Sequence, residues 1–234
     1  MPIANKLRKL FSVDSYLSAK AAVRRWTYPL DPQPFIDAMD HDGFEKLRAR
    51  YGKPGEKVGP EKFFDLEEWM GNNIKRVRDI RLRKAPPRLR VLDLGCGTGY
   101  FLHIARCMGH DVLGLDLDIQ PIYNEMIALL GIPRVVHEIR PFQPMPDLGA
   151  PFDLITAHLT CFNWHADGSH WGVDEWRYFL SDAESRLTPT GWIQLELNVV
   201  SKELHMAPEL KQFFLSKGAR IDRRRVFLPP RSKK

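Results

Sequence analysis

Three glycines at alternate positions follow a short apolar run, and this is the first stretch of the chain whose residue types and spacing suit ligand binding. Residues 91–94 (VLDL) are too few for a helix and lead directly into Gly95, Gly97 and Gly99, which favours a buried strand ending in a loop. Glycine permits a positive φ and has no Cβ to obstruct a ligand. A loop of this kind, followed by a helix, predicts a nucleotide-like ligand near the helix N-terminus.

Two acidic side chains flank this loop. Asp93 comes before the first glycine, and Asp116 ends a second apolar stretch at residues 112–115. Between them, residues 100–108 have apolar side chains spaced for a helix with one buried face. Ligands of open α/β sheets bind beyond the carboxyl ends of the strands, so the loop and Asp116 are predicted to face one crevice.

The spacing of the glycines separates two classes of cofactor. Dinucleotide enzymes use G-x-G-x-x-G, whereas here the third glycine comes one residue earlier and Asp93 precedes the first. The run VLDLGCGTG at residues 91–99 resembles the first motif of class I S-adenosylmethionine-dependent methyltransferases. Residues 152–155 (FDLI) resemble the fourth-strand pattern of that family. Residues 187–193 are similar to its turn into strand five, with Thr190 in place of a glycine.

The resemblance implies S-adenosylmethionine as the cofactor and assigns residues to it. Asp93 would orient the amino group or the loop, Asp116 would accept hydrogen bonds from both ribose hydroxyls, and Leu117 would pack beside the adenine. Relatives often have an acid at the end of the third strand, whereas this chain has residues 139–141 (IRP) there and Glu138 one position earlier, so adenine recognition is left open between backbone groups and Gln143. The full predicted cofactor set is Asp93, Gly95, Cys96, Gly97, Gly99, Asp116, Leu117, Ile139 and Ala157.

The candidate catalytic residues follow the fourth strand. Methyl transfer is a direct in-line displacement, so a base is needed only where the acceptor must lose a proton. Histidine has the pKa that suits this task near neutral pH. We predict His158, His165 and Asn163 as catalytic, against the alternative that each is an ordinary structural residue. His165 and His170 lack a recognised metal-ligand spacing, so no metal is predicted.

The acceptor class is left open between three hypotheses. The favoured one is O- or N-methylation of a small molecule or glycan, because residues 158–172 form an aromatic loop and no Asn-Pro-Pro-Tyr-like run follows the fourth strand. The second is a nucleic-acid methyltransferase, since residues 75–90 contain eight basic side chains and one acid, and residues 220–234 contain seven basic side chains. The third is a non-catalytic binding module.

The order of elements predicts an α/β fold, a Rossmann-like doubly wound, mostly parallel sheet with an N-terminal helical extension. Residues 1–85 are predicted to form the helical cap, with helices at 5–26, 35–51 and 60–82, and residues 86–234 the cofactor-binding domain. Strands are predicted at 91–94, 112–115, 135–139, 152–157, 192–197 and 219–228, with a turn at 188–191. Few residues follow 228, so the closing antiparallel strand of the family is expected to be missing or shortened.

Composition agrees with a globular enzyme. The chain has 234 residues, 44% of them hydrophobic, a net charge of +6 and three cysteines without a C-x-x-C pair. No apolar run reaches the roughly 18 residues of a membrane span, and the N-terminus lacks the pattern of a secretory signal. A cytoplasmic location is therefore expected, with the oligomeric state left open.

Overall fold

The computed structural model describes residues 19, 23, 26, 29–52, 60–84, 86–149, 151–165, 167–198 and 206–230. The helix predicted at 5–26 lies almost entirely outside the described residues.

The described chain folds around one sheet with the strand order β3-β2-β1-β4-β5-β7-β6. The strands are β1 Arg90–Leu94, β2 Asp111–Asp116, β3 Arg134–Val136, β4 Phe152–Thr160, β5 Leu187–Leu197, β6 Arg220–Asp222 and β7 Arg225–Leu228. The first five are parallel, whereas β7 is antiparallel to β5 and to β6. Chain order reverses between β1 and β4, which is where open α/β sheets bind their ligands. The predicted fold class is confirmed.

Helices cover both faces of this sheet. They are α1 Gln33–Asp37, α2 His41–Tyr51, α3 Leu66–Ile80, α4 Tyr100–Cys107, α5 Pro121–Leu129, α6 Val173–Ser185 and α7 Pro208–Ser216. One core joins α1 to α5 to one face, and its buried side chains include Phe44, Met70 and Val91. The core on the other face includes Leu92, Trp176 and Phe214. The cap helices thus share a continuous core with the sheet.

Two of the predicted cap helices are each broken by an aspartate. The Asp40 side chain accepts a hydrogen bond from the Gly43 backbone N–H at 3.0 Å, so α2 begins there and is separate from α1. The Asp65 side chain likewise accepts a hydrogen bond from the Glu68 backbone N–H at 3.0 Å, so α3 begins there, after a 3₁₀ turn at Pro60–Phe64. An aspartate in this position satisfies a backbone donor that has no partner within the helix. The uninterrupted helices predicted at 35–51 and 60–82 were wrong.

The closing antiparallel strand is present, contrary to expectation. The single strand predicted at 219–228 is a hairpin of β6 and β7, and Arg223 has a φ of +57° at its turn. β7 then pairs with β5, with Leu228 opposite Ile193. The turn predicted at 188–191 lies inside β5, since Leu187 already pairs with Phe152. The third strand is shorter than predicted, because β3 ends at Val136.

Candidate active site

The glycine loop connects β1 to α4 at the carboxyl edge of the sheet. The Gly95 N–H donates to the Leu115 carbonyl at 2.7 Å, which ties the loop to β2. Gly97 and Gly99 have φ values of +54° and +79°, a region that favours glycine. A Cβ at Gly99 would lie 2.6 Å from Ile127 Cδ1, whereas a Cβ at Gly97 would meet no atom within 4 Å. Gly99 is therefore needed for packing, and Gly97 borders open space that a ligand can occupy.

The Asp116 carboxylate holds this loop in place from the end of β2. Its Oδ2 accepts from the Gly97 N–H at 2.6 Å, and its Oδ1 accepts from the Leu117 N–H at 2.7 Å. A carboxylate offers roughly four lone-pair positions, so each oxygen keeps capacity for another donor. The side chain can therefore fix the loop and accept hydrogen bonds from two ribose hydroxyls at once.

A cavity of about 270 Å³ opens beside Asp116, close to the low end of small-molecule pockets. Four residues of the predicted cofactor set line it, namely Gly95, Asp116, Leu117 and Ile139. The remaining lining comes from Leu115, from 137, 138, 140 and 141 after β3, and from Cys161, Phe162 and Trp164 after β4. The segment after β3 could have been found from the sequence because it directly follows a strand. The dimensions and acceptors of this crevice fit the adenosine part of S-adenosylmethionine.

Cys96 and Ala157 of the predicted cofactor set are buried and do not line the cavity. The Cys96 side chain is buried against Gly114, where a Cβ would lie only 2.6 Å from the Cys96 Sγ. Its burial raises the pKa of the thiol, so only the backbone of this residue is suited to a cofactor contact. Ala157 is buried in β4 and pairs with Leu94.

Asp93 is buried and hydrogen-bonded rather than exposed in the crevice. The Thr156 hydroxyl donates to its Oδ1 at 2.7 Å. Burial raises the pKa of Asp93 to about 7, against the hydrogen bond from Thr156 and the charge of Arg76, which both lower it. The nearby Asp116 charge adds to the rise. This carboxyl therefore changes charge close to neutral pH.

His158 lies inside β4 and not in the following loop, which corrects its predicted position. Its ring packs edge-on against Phe101 with 4.7 Å between centroids, and neither ring nitrogen has a hydrogen-bond partner among the described residues. Burial, followed by the charges of Arg76 and Arg225, lowers the pKa of His158 well below its usual value. The imidazole is therefore neutral, and its 3.9 Å approach to Glu196 is not an ion pair.

The chain leaves β4 through an irregular step. The register between β4 and β5 shifts between His158 and Thr160, where Leu159 has a φ of +54°. The Asn198 side chain donates to the Leu159 carbonyl at 3.2 Å and so supports this step. Beyond it, Phe162 and Trp164 line the cavity. We refer to residues 161–171 as the β4 loop.

The other two predicted catalytic residues lie in the β4 loop. The Asn163 carbonyl accepts from the Trp171 N–H at 2.9 Å, and its buried side-chain oxygen has no partner among the described residues. His165 Nε2 lies 2.8 Å from the Glu175 Oε1, with 31% of the His165 side chain exposed. Neither residue lines the cavity, nor does His158. The structure brings the predicted cofactor residues together more closely than the predicted catalytic ones.

Substitution of two glycines by alanine should separate binding from stability. Gly97→Ala is expected to weaken S-adenosylmethionine binding by roughly tenfold, because the new methyl group occupies ligand space, at about 1 kcal/mol of backbone strain. Gly99→Ala is expected to lower the free energy of unfolding by about 2–3 kcal/mol, because strain adds to the clash with Ile127. Calorimetric titration and urea unfolding of both variants measure this. Equal losses of affinity and stability in both variants would contradict the division of roles.

Within the described segments, no helix is both long and apolar enough to cross a bilayer. The same segments hold no group of three or more His, Cys, Asp or Glu side chains placed to bind a metal ion.

Comparison with known proteins identifies the family. A family model described as a methyltransferase domain matches residues 66–213, which is more than half of the chain. Among curated proteins there is no match. One solved structure, the SAM-bound amino pentose methyltransferase CalS10 from Micromonospora echinaspora, is 27% identical with a TM-score of 0.42, covering 59% of this chain and 54% of its own. This chain thus spans about half the length of that enzyme.

Two further structures are similar in fold. DesVI from Streptomyces venezuelae is 15% identical with a TM-score of 0.51, covering 76% of this chain and 100% of its own. The 16S rRNA methyltransferase RsmC from T. thermophilus is 21% identical with a TM-score of 0.44, covering 76% and 45%. The family match, together with the loop, Asp116 and the strand order, shows that the chain belongs to the class I methyltransferases, enzymes that take their methyl group from S-adenosylmethionine.

Proposed function

We propose that this enzyme methylates an oxygen or nitrogen of a small-molecule or glycan acceptor. The observation that carries this proposal is the engagement of the basic clusters within the protein. A nucleic-acid surface needs cations that are free to replace the counterions of the phosphates. Most of the described arginines in the two clusters are instead held by carboxylates, carbonyls or aromatic rings of the chain itself.

Four of the eight basic side chains in the first cluster, residues 75–90, contact groups far along the chain, whereas Lys75, Arg81, Arg83 and Lys84 are exposed. Arg76 donates to Glu196 at 3.1 Å, and Arg78 donates to the Leu30 carbonyl at 2.6 Å. Arg88 pairs with Asp111, and Arg90 donates to the Leu148 carbonyl at 3.1 Å. These contacts lower the tendency of the cluster to bind phosphates.

The second cluster, from residue 220 onward, is engaged in the same way as far as the structure describes it. Arg220 stacks on the Phe227 ring at 4.2 Å. Arg224 and Arg225 both lie beside Glu196, at 3.1 Å and 3.6 Å. The engagement of these arginines supports a small-molecule or glycan acceptor over a nucleic acid.

The mechanism proposed for the chain is mainly positioning. When bound, S-adenosylmethionine supplies an electrophilic methyl group on a sulfonium. Asp116 and the Gly97 backbone orient the cofactor, and Phe162 and Trp164 of the β4 loop exclude water from the crevice. Since displacement is in line, alignment with the acceptor provides much of the acceleration.

A hydroxyl acceptor also needs a base, and His165 is the best placed of the three candidates. Its ring is partly exposed and is oriented by Glu175 at 2.8 Å, in the way a carboxylate orients a catalytic imidazole. His158 is buried and neutral, and the Asn163 side-chain oxygen has no partner within the described part of the chain, so both are better suited to hydrogen bonding than to general base work.

The test compares acceptor classes directly. The full chain is incubated with S-adenosylmethionine carrying a radiolabelled methyl group and with either total RNA or a panel of amino sugars and phenolic hydroxyl compounds. We expect label in the small-molecule panel, and no measurable RNA binding by fluorescence anisotropy at low salt. Arg83→Ala/Lys84→Ala, which removes two exposed charges of the first cluster, should leave methylation unchanged. Labelled RNA, or salt-sensitive RNA binding abolished by that double variant, would overturn the proposal.

A further inference from the structure

A polar layer interrupts the apolar interface between α3 and the sheet. Asn73, Arg76 and Asp79 recur every three residues along α3 and so lie on one side of the helix. Their counterparts in the sheet are Glu196 in β5 and Arg225 in β7. The side chains of Asp79 and Glu196 are only 5% and 4% exposed. Buried charges at such positions are costly unless they are paired, so their arrangement is specific.

Arg76 is the central cation of this layer. Its Nε donates to Glu196 Oε2 at 3.1 Å, and its Nη1 donates to Asn73 Oδ1 at 2.9 Å. Its side chain is 14% exposed. Glu196 also receives Arg224 and Arg225, while Arg225 pairs in turn with Asp79. The guanidinium of Arg76 is thus fixed by Glu196 through its Nε and by Asn73 through its Nη1.

The strand register places Asp93 close to this cation. Asp93 pairs with Thr156 in β4, and Thr156 pairs with Gln194 in β5. Glu196 lies two residues beyond Gln194, so it shares a face of the sheet with Asp93 and Thr156. Neighbouring strands are about 4.8 Å apart, so an arginine anchored on Glu196 can extend over β4 toward Asp93.

The groups around Asp93 leave Arg76 as its main source of positive charge. The Thr156 hydroxyl is its hydrogen-bond donor, Asp116 is a second anion, and His158 is neutral. The thiol of Cys96 is uncharged because its pKa is raised. Glu196 and Arg225 largely offset each other farther along the face. Burial already brings the pKa of Asp93 to about 7 with Arg76 in place, so loss of that cation would leave the carboxyl protonated at neutral pH.

We propose that Arg76 is a positioning residue of the cofactor site, which, from its anchor on Glu196, holds Asp93 as a carboxylate able to attract the cationic amino group of S-adenosylmethionine. This role rests on the proposed function and on the contact of Asp93 with the cofactor amino group that the family resemblance implies. It links the helical cap to the cofactor half of the reaction.

The test follows the charge of Asp93 in the free protein. Carbon NMR of the Asp93 carboxyl is recorded against pH in the full chain and in Arg76→Gln, which keeps a donor for Glu196 but loses the charge. The titration midpoint should rise by about one pH unit or more, and S-adenosylmethionine affinity at pH 7 should fall by about tenfold. Arg76→Lys should restore both to near the original values.

Asp79→Asn is the matched control, because it weakens the same helix–sheet layer one turn farther on. It should lower the unfolding temperature without moving the Asp93 midpoint. An unchanged midpoint in Arg76→Gln would overturn the inference. If Arg76→Gln does not fold, Arg76→Met, which also removes the charge, decides: a midpoint raised by about one pH unit or more supports the role, and a smaller change overturns it. If the unmodified chain binds no S-adenosylmethionine at any pH, the proposed cofactor contact fails, whatever the midpoints show.

Discussion

Asp116→Ala is expected to weaken S-adenosylmethionine binding by about 100-fold or more, since hydrogen bonds to a charged group contribute roughly 1.5–3 kcal/mol each. The substitution removes the predicted acceptor for two ribose hydroxyls. It also frees the Gly97 and Leu117 N–H groups, which now donate to Asp116 at 2.6 Å and 2.7 Å. The loop that borders the ligand space therefore loses its support together with the contact. Calorimetric titration of the cofactor measures the change.

Asp118→Ala is the matched control for this prediction. Asp118 follows in the same segment, its side chain is 56% exposed, and it pairs only loosely with Arg134 at 3.4 Å. Its removal should change cofactor affinity by less than about threefold, because exposed ion pairs contribute little. Asp116→Asn should lie between the two, since one oxygen acceptor remains. Similar affinities for Asp116→Ala and Asp118→Ala would disprove the ribose assignment.

Glu196→Ala is expected to lower the free energy of unfolding by about 3–5 kcal/mol, the usual cost of removing one partner from a buried ion pair. Although burial opposes ionisation, Arg76, Arg225 and Arg224 together lower the pKa of Glu196, so it is charged. Without it, Arg76 and Arg224 lose their carboxylate partner, and Asp79, which pairs with Arg225, is the anion that remains in this layer. Urea unfolding of the full chain at neutral pH measures the loss.

The comparison for this prediction is Glu45→Ala. Glu45 also pairs with an arginine, Arg48, at 2.7 Å, but its side chain is 60% exposed against 4% for Glu196. An exposed pair of this kind contributes at most about 1 kcal/mol. A loss below 1 kcal/mol in Glu196→Ala would mean that the polar layer does not stabilise the cap on the sheet.

The part of the fold that sequence reasoning predicted best is β1, the glycine loop, α4 and β2. The sequence signals for these elements are local, because the periodic apolar residues, the glycines and Asp116 all fall within residues 90–116. The breaks at Asp40 and Asp65 were missed because both aspartates stand within a continuing helical period, where capping competes with helix propagation. The β6–β7 hairpin was missed because its turn has Arg223 at a positive φ instead of a glycine.

The residues of the candidate site that can be predicted from the sequence are those whose signals lie close together along the chain. Asp116 and Gly95, which line the cavity, have local signals, because Asp116 ends β2 and Gly95 directly follows β1. The contact of Arg76 with Glu196 joins residues 120 positions apart, so no spacing in the sequence indicates it. The same holds for the buried ring of His158, which packs against Phe101 in α4. Long-range packing decides which of several suitable side chains reaches the crevice.

The step at Leu159 has a consequence for how enzymes of this shape can diversify. The hydrogen-bond ladder between β4 and β5 is already out of register before the β4 loop begins. Residues inserted into or deleted from that loop therefore need not propagate into the strands, because surface loops absorb length changes and a bulge ends strict pairing. Asp116 and the glycine loop belong to other parts of the sheet, since Asp116 ends β2 and the loop follows β1. With the methyl donor bound at Asp116 and the glycine loop, as we propose, changes in this one segment could alter the acceptor and leave the donor contacts as they are.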